Sequence, residues 1–377
     1  NTDSNQLEIY DGNQWTGIES TSPELQTGAT RAVIAGGKLT HPARQNVIQF
    51  VNVDTTGNAV DFGDVLNASS GFFTAASRTR GIYAGAYTPG TYTNSIEFVT
   101  IASTGNSTDF GADLSVARGN GWSASTSTRG VFAGGFDGSD RSTVIDYMSI
   151  ASTGLAAQDF GDLVQKGLCG GHSQVQSKTR GVFGGGDTPG AKVNLIQYVT
   201  LATLGNATDF GDLTTPTVGV GGAADTTRGI FAGGIVPGAT RVNTIEYITF
   251  ATTGDATDFG DLTNIRRNPA GTSDSTRGIF AGGSTPTYLN TIDFITIQTT
   301  GNATDFGDLI TAADNATAAS NNTRGIIGGH YLSSSPHLSN IIESVTIQTT
   351  GNAVDYGDLF LARSQLGACS DSHGGLS

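Results

Sequence analysis

The sequence predicts an all-β fold: a seven-bladed β-propeller with four antiparallel strands per blade and a ring closed by the C-terminal strand. Three observations carry this expectation. A Thr-Arg pair recurs with its arginine at Arg31, Arg80, Arg129, Arg180, Arg228, Arg277 and Arg324, at spacings of 49, 49, 51, 48, 49 and 47 residues. Between these points apolar residues alternate with period two over short runs, the period of strands and not of helices. The 54 glycines, the single methionine and the 14% of charged residues suit many short strands joined by tight turns. Self-similarity at about 50 residues, with four strands per unit, marks a propeller blade.

Within a unit the strands follow a fixed order. Residues 267–274 read as an inner strand. Residues 278–283, Gly-Ile-Phe-Ala-Gly-Gly, are apolar or small on both faces, as a second strand must be where sheets stack, and their glycines admit a close neighbouring backbone. A loop that differs in every unit leads to a third strand, 290–298 in this unit. A near-constant turn of the Thr-Thr-Gly-Asn-Ala-Thr kind follows. The outer strand carries Asp-Phe-Gly-Asp-Leu, beginning at Asp61, Asp109, Asp159, Asp209, Asp258, Asp305 and Asp355. Val65 ends the first copy, an alanine intrudes in the second, and Tyr356 replaces Phe in the last. Residues 362–371 align with an inner strand but precede no further blade. They are therefore expected to pair beside Arg31 and close the ring, removing exposed edges. The propeller then spans 30–377, and 1–29 is left as an N-terminal attachment arm with a short β-hairpin.

These residues resemble the Kelch family of repeats. Its blades run as an inner strand, a second strand ending in Gly-Gly, a third carrying Tyr and an outer one carrying Trp; here Phe306 stands in the Trp position. The units are also similar to those of virion structural and tail-fibre proteins of marine bacteriophages. The opening 17 residues resemble a hairpin that recurs in phage fibre proteins. That resemblance implies a non-enzymatic virion structural or adsorption protein, a tail fibre or tail-associated propeller, joined to other virion proteins through residues 1–29 as part of a larger assembly. It would contact a host-surface glycan or protein and be located on the virion. The alternative is a secreted, extracellular or cell-surface bacterial propeller that binds proteins or glycans. A third reading, from another class, is a propeller enzyme.

Charge and motifs narrow the choice. The net charge is −14, and Lys38, Lys166, Lys178 and Lys192 are the whole lysine complement. Such a surface repels nucleic acid and anionic membranes, so neither is an expected partner. No run approaches the roughly 18 apolar residues of a membrane-spanning helix. No signal-peptide pattern opens the chain, and it does not begin with Met, so residue 1 is not expected to be the start of translation. Cys169 and Cys369 make neither a disulfide framework nor a zinc site and read as small apolar residues. There is no Gly-x-Ser-x-Gly, His-Glu-x-x-His, P-loop or Cys-x-x-Cys motif. His330 and His337 flank one loop, but no acid or cysteine there completes a metal site. No cofactor and no metal are expected.

Two carboxylate positions repeat. In the third strand, Gln49, Glu97, Asp146, Gln197, Glu246, Asp293 and Glu343 interchange, so the position requires a hydrogen-bond acceptor and not an ionised acid. The two acids of Asp-Phe-Gly-Asp, three apart, belong on opposite faces of a plain strand, which disfavours chelation. The first of them is expected to form within-blade ion pairs with the repeated arginine: Arg31–Asp61, Arg80–Asp109, Arg129–Asp159, Arg180–Asp209, Arg228–Asp258, Arg277–Asp305 and Arg324–Asp355. Recognition, if the variable loops are more than unconstrained, falls to Tyr87, Tyr92, Tyr288 and Tyr331, with Arg44, Arg141, Arg241, Arg266 and Arg267 on the same expected face.

Overall fold

The computed structural model describes residues 7–10, 15–18, 30–39, 43–154, 156–167, 174–334 and 337–370. Seven antiparallel four-stranded sheets form a closed propeller. Blade 1 takes its second, third and outer strands from Arg31–Ala35, Gln45–Asn52 and Val60–Ser69. Its inner strand is Gly367–Ser370, with Val33 opposite Cys369 and Ala35 opposite Gly367. The ring closes as the sequence predicts.

The other blades run in chain order. Their inner strands are Phe73–Ala76, Trp122–Ser125, Gln174–Gln176, Gly221–Ala224, Ala270–Ser273 and Thr317–Ser320. Each second strand opens on its repeated arginine: Arg80–Thr88, Arg129–Ala133, Arg180–Gly184, Arg228–Ala232, Arg277–Ala281 and Arg324–Gly328. Within 1–29, Leu7–Tyr10 pairs antiparallel with Trp15–Ile18, the expected hairpin. The rest of that segment lies outside the described residues.

The apolar faces of neighbouring blades form the core. Ile230, Ile245, Phe259 and Leu262 of blade 5 pack with Phe280, Ile295 and Ile297 of blade 6, and every seam has a counterpart. Second strands are buried on both faces, so they read as apolar runs where the third strands alternate.

Two repeated bonds join the blades, and neither is the expected ion pair. None of the seven predicted pairs, from Arg31–Asp61 to Arg324–Asp355, is among the ion pairs of the described residues. Arg228 stands opposite Thr249 on the third strand, whereas Asp258 stands opposite Glu246. Three residues offset them by about 10 Å along the strand, the third strand lies between them, and an odd offset turns their side chains to opposite faces. In the six blades before blade 7 the arginine instead lies over the third-strand aromatic of its own blade, at 4.4 Å for Arg228 on Tyr247 and 4.2 Å for Arg277 on Phe294. Its Nη1 donates to a backbone carbonyl of the next blade. These bonds run from Arg31 to Ile101 (2.8 Å), Arg80 to Ile150 (2.8 Å), Arg129 to Leu201 (2.6 Å), Arg228 to Ile297 (3.0 Å), Arg277 to Ile347 (3.0 Å) and Arg324 to Val53 (3.0 Å). Arg180 makes the same bond to Phe250. The first Asp of each motif is exposed.

The second bond explains why the motifs hardly vary. The third-to-outer turn of each blade docks on the outer strand of the blade before it. At the seam of blades 5 and 6, Gly301 N donates to Phe259 O (2.7 Å) and Ala303 N to Asp261 O (2.8 Å), while Asp261 N donates to Asn302 Oδ1 (3.1 Å). The same set joins blade 7 to blade 1 through Gly57, Asn58 and Ala59. The motif glycine is a bulge at which the register slips, so strict alternation of the two acids is lost. A Cβ on Gly260, at φ 143°, would lie 2.5 Å from the Gly301 carbonyl. Only glycine lets the turn come this close.

Candidate functional site: the variable-loop face

The second-to-third loops and the outer-to-inner connections meet on one face of the ring. They are tied by backbone bridges, among them Ser70 to Tyr87, Gly119 to Phe136, Val218 to Ile235, Arg267 to Ser284 and Asp314 to Tyr331. The opposite face carries the near-identical docking turns, whose backbone the seams consume.

Blade 2 builds the most prominent feature of the variable face. Its second and third strands, Arg80–Thr88 and Thr91–Thr100, extend past the turn at which the other blades leave the sheet, and this places Tyr87 opposite Tyr92. The Tyr87 and Tyr92 rings meet edge to face at 5.1 Å, and Tyr92 meets Phe136 of blade 3 at 5.6 Å. The Arg44 guanidinium lies 4.9 Å above Tyr87 and donates through Nε to Ser70 Oγ (2.7 Å). All four side chains are half-buried, so their outer surfaces face solvent. Burial also raises the Tyr92 pKa, keeping its phenol neutral.

Past Phe136 lies a cleft of about 470 Å³ between blades 3 and 4, lined by Arg141, Thr143, Val164, Gln165, Lys166 and Thr188. Arg141 donates to Asp187 through Nε to the carbonyl (2.7 Å) and through Nη2 to Oδ2 (2.9 Å). Lys166 Nζ lies 2.5 Å from Asp140 Oδ2. Backbone and side-chain bonds within its own loop hold the Asp137 carboxyl below the ordinary carboxylate range.

The other expected contact residues are dispersed. Tyr288 and Tyr331 lie on blades 6 and 7, with Lys38 5.9 Å from the Tyr331 ring. Arg267 donates to Ser284 Oγ (3.0 Å) and lies 3.5 Å from Asp314. Arg241, half-buried on blade 5, has its Nε without a hydrogen-bond partner among the described residues. Arg266 is a correction. It is fully buried, bonded to Asp293 (2.5 Å) and to the carbonyls of Gly282 and Thr291 (both 3.0 Å), and cannot touch a partner. Arg118 with Asp146 and Arg363 with Gln49 occupy the same place in other blades. A surface reading of Arg266 fails because its neighbour Arg267 alone carries the exposed position.

The third-strand acceptors are all buried, and Glu97, Asp146, Gln197, Glu246, Asp293 and Glu343 receive a backbone N–H from the preceding blade, as in Leu66 N to Glu97 (2.8 Å) and Val164 N to Gln197 (2.8 Å), while Gln49 accepts from Arg363. Burial pushes Glu343 up to about 7 and His330 down to about 4. His330 is buried and His337 exposed, so the two do not converge. Among the described residues no three His, Cys, Asp or Glu side chains gather as a metal site would require. Along the axis, an opening of about 270 Å³ is lined by small neutral residues such as Thr74, Ser123, Gly222 and Ala318. Cys369 lies in its wall, 3.4 Å from the Tyr83 hydroxyl, while Cys169 falls outside the described residues.

Of the 19 Lys and Arg, seven open second strands and three (Arg118, Arg266 and Arg363) are buried. Of the remaining nine, Arg78 and Lys178 lie in inner-to-second turns. The other seven, Lys38, Arg44, Arg141, Lys166, Lys192, Arg241 and Arg267, lie in the variable-face loops. Those loops hold four acids, Asp137, Asp140, Asp187 and Asp314, and the second Asp of each outer-strand motif, as Asp162 opposite Val144, adds seven more at the same end of the sheets, so this face carries no positive surplus.

No protein-family model matches this sequence, and no curated protein matches it. The seven-bladed propeller therefore stands on the structure itself.

Proposed function

We propose that this propeller is a non-enzymatic attachment module of a phage virion, a tail-fibre or tail-associated protein whose variable-loop face contacts a host surface or a neighbouring virion subunit. The observation that supports the reading is the contrast between the faces. One presents seven loops of different length and composition; the other repeats a single turn whose backbone is spent on the seams. Variation confined to one face of a rigid scaffold is how loops take on recognition. Residues 1–29 would join the propeller to other virion proteins. The resemblance to Kelch blades and to marine-phage fibre proteins is read from the residues, and it sets the virion reading above that of a secreted bacterial propeller.

Two measurements test it. The genes flanking the coding sequence should encode capsid or tail proteins; a secretion operon there favours the bacterial reading. Replacing Tyr87, Tyr288 and Tyr331 together by Ala should abolish attachment to host cells while the protein keeps a cooperative thermal transition. Unchanged attachment would move the contact to the arm or the opposite face.

A further inference from the structure

Exposed apolar residues on the outer rim stand singly except along one arc. Gly351 N donates to Phe306 O and Ala353 N to Asp308 O (both 2.8 Å), so the blade 7 turn runs parallel to the blade 6 outer strand. Strands so paired lie about 5 Å apart, which brings Val354 out beside Ile310. The matching bonds of Gly57 and Ala59 to Tyr356 and Asp358 bring Val60 out beside Phe360. All four are more than half exposed, and Leu66 and Leu361 are a little under half. At four other seams the same register sets Thr304 beside Thr263, Thr257 beside Thr214, Thr208 beside Val164 and Thr108 beside Leu66. Of these six seams, the two that flank blade 7 alone pair apolar with apolar. Exposed apolar pairs on adjoining seams mark a surface that another element covers.

We infer that the chain's own N-terminal hairpin folds back onto this arc and covers Val60, Phe360, Val354 and Ile310. The arm leaves the ring beside it. Thr30 O accepts Val53 N within blade 1, Arg31 stands opposite Asn52, and Val60 stands opposite Phe50. Two strands across and two residues along put Val60 roughly 12 Å from Arg31. Thr30 comes twelve residues after Ile18, a tether that spans up to about 40 Å. So short a tether holds the hairpin near the rim at an effective concentration on the order of millimolar, which an unlinked partner must outcompete. The hairpin also needs a surface. Leu7–Tyr10 and Trp15–Ile18 pair only with each other among the described strands, and a two-stranded hairpin is marginal alone in water. Leu, Ile, Tyr and Trp make up five of its eight strand residues. The inference stands apart from the attachment reading, since it concerns how the arm is held and not what the propeller meets.

Amide hydrogen exchange of the whole protein tests this. The backbone amides of residues 7–18 should exchange at least about tenfold more slowly in the parent than in the rim variant Val60→Thr, Val354→Thr, Phe360→Thr, because an undocked hairpin keeps its bonds only marginally. Threonine is what the polar seams carry at these places, and all three residues are more than half exposed, so the variant should keep the parent's thermal transition. Phe360→Ser alone should speed the exchange at least about threefold, which keeps the test open if the triple variant misfolds. Val164→Thr, the single apolar residue of a distant seam, should leave the hairpin as protected as in the parent. Hairpin amides that exchange at free-chain rates in the parent overturn the inference. So does protection that survives the rim variant, or that Val164→Thr removes equally. Protection that grows with protein concentration, alongside a dimer in sedimentation that the rim variant lacks, assigns the rim to the arm of a second copy and overturns docking within one chain.

Discussion

Arg228 lies 4.4 Å above the Tyr247 ring and donates 3.0 Å to the Ile297 carbonyl, so one side chain packs its own blade and pins the next. Arginine suits this place because its planar cation stacks on a ring while an edge N–H points elsewhere, which lysine cannot do. Arg228→Ala should cost roughly 2–3 kcal/mol, a charged hydrogen bond plus a cation–π contact. Exposed Asp258→Asn should stay within about 0.5 kcal/mol. Urea unfolding of the two variants checks this; equal losses would revive the within-blade pair. Glu343 shows what burial does to an acceptor. Its Oε2 accepts Ile310 N–H at 2.6 Å, Oε1 has no partner among the described residues, and the pKa stands at about 7. A carboxyl whose pKa is higher folded than unfolded binds more protons in the native state. Its contribution to stability therefore falls as pH rises from the ordinary carboxylate range through about 7. Gln197 fills the matching site as an amide, donating 3.1 Å to the Gln165 carbonyl. Glu343→Gln should accordingly stabilise the protein by up to about 3 kcal/mol at pH 8, and by little at pH 4. A gain independent of pH would exclude the buried charge as its cause. His330 acts in the opposite sense. Its pKa is lowered to about 4, so its contribution is lost as pH falls from the ordinary histidine range toward that value.

The outer strand and the turn that docks on it are the elements whose wording repeats, and their repetition is steric. Gly260 is a bulge, and a Cβ there would meet the Gly301 carbonyl at 2.5 Å. Gly260→Ala should therefore cost more than about 2 kcal/mol, against roughly 1 kcal/mol for Asn302→Ala, which removes only the acceptor for Asp261 N–H. Thermal denaturation of the pair checks the order. The departures from the motif have local reasons. In blade 7 the third strand carries Ser344 where six blades carry an aromatic, so no ring faces Tyr356 there. The Tyr356 hydroxyl bonds instead to the carbonyls of Asn52 and Thr55 in blade 1. At the seam of blades 2 and 3, which carries the inserted alanine, the latch keeps the bond from Gly154 N to Phe110 O (2.8 Å).

For the molecule as a whole, closure joins chain segments more than 300 residues apart. Gly367–Ser370 pairs with Arg31–Ala35 inside blade 1, and the latch of Gly57–Ala59 on the outer strand of blade 7 joins that blade to blade 1 at the rim. Removing residues 367–377 should uncover the edge of the strand at Arg31 and remove Cys369 from the core between blades 1 and 2. The thermal midpoint should fall by at least about 10 °C or the transition should lose its cooperativity. Joining residue 370 to Arg31 through a three-residue turn, of the kind between Ala76 and Arg80, should restore it in a permuted chain. A truncated protein as stable as the parent would show that the ring does not depend on its inner closing strand.

Blade number, strand order and the closing strand were all legible in the sequence, because each depends on local pattern repeated seven times. Period two, a turn residue at a fixed offset and an unmatched strand at the terminus are properties of the chain alone. The third-strand acceptor was legible for the same reason, since Glu, Asp and Gln share only the ability to accept. The partners of repeated residues were not. Arg228 and Asp258 recur together, and the sequence shows that both are required, but whether they meet depends on a register offset of three residues set by the Gly260 bulge. Their true partners, the Ile297 carbonyl and, for the motif as a whole, the backbone of Gly301 and Ala303, belong to the next blade. Backbone groups leave no mark in residue identity, so contacts to them are invisible until blades stack. The aromatic row and its cleft were hidden likewise: Tyr87, Tyr92 and Phe136 come from two blades, and only ring geometry brings them within 6 Å of one another.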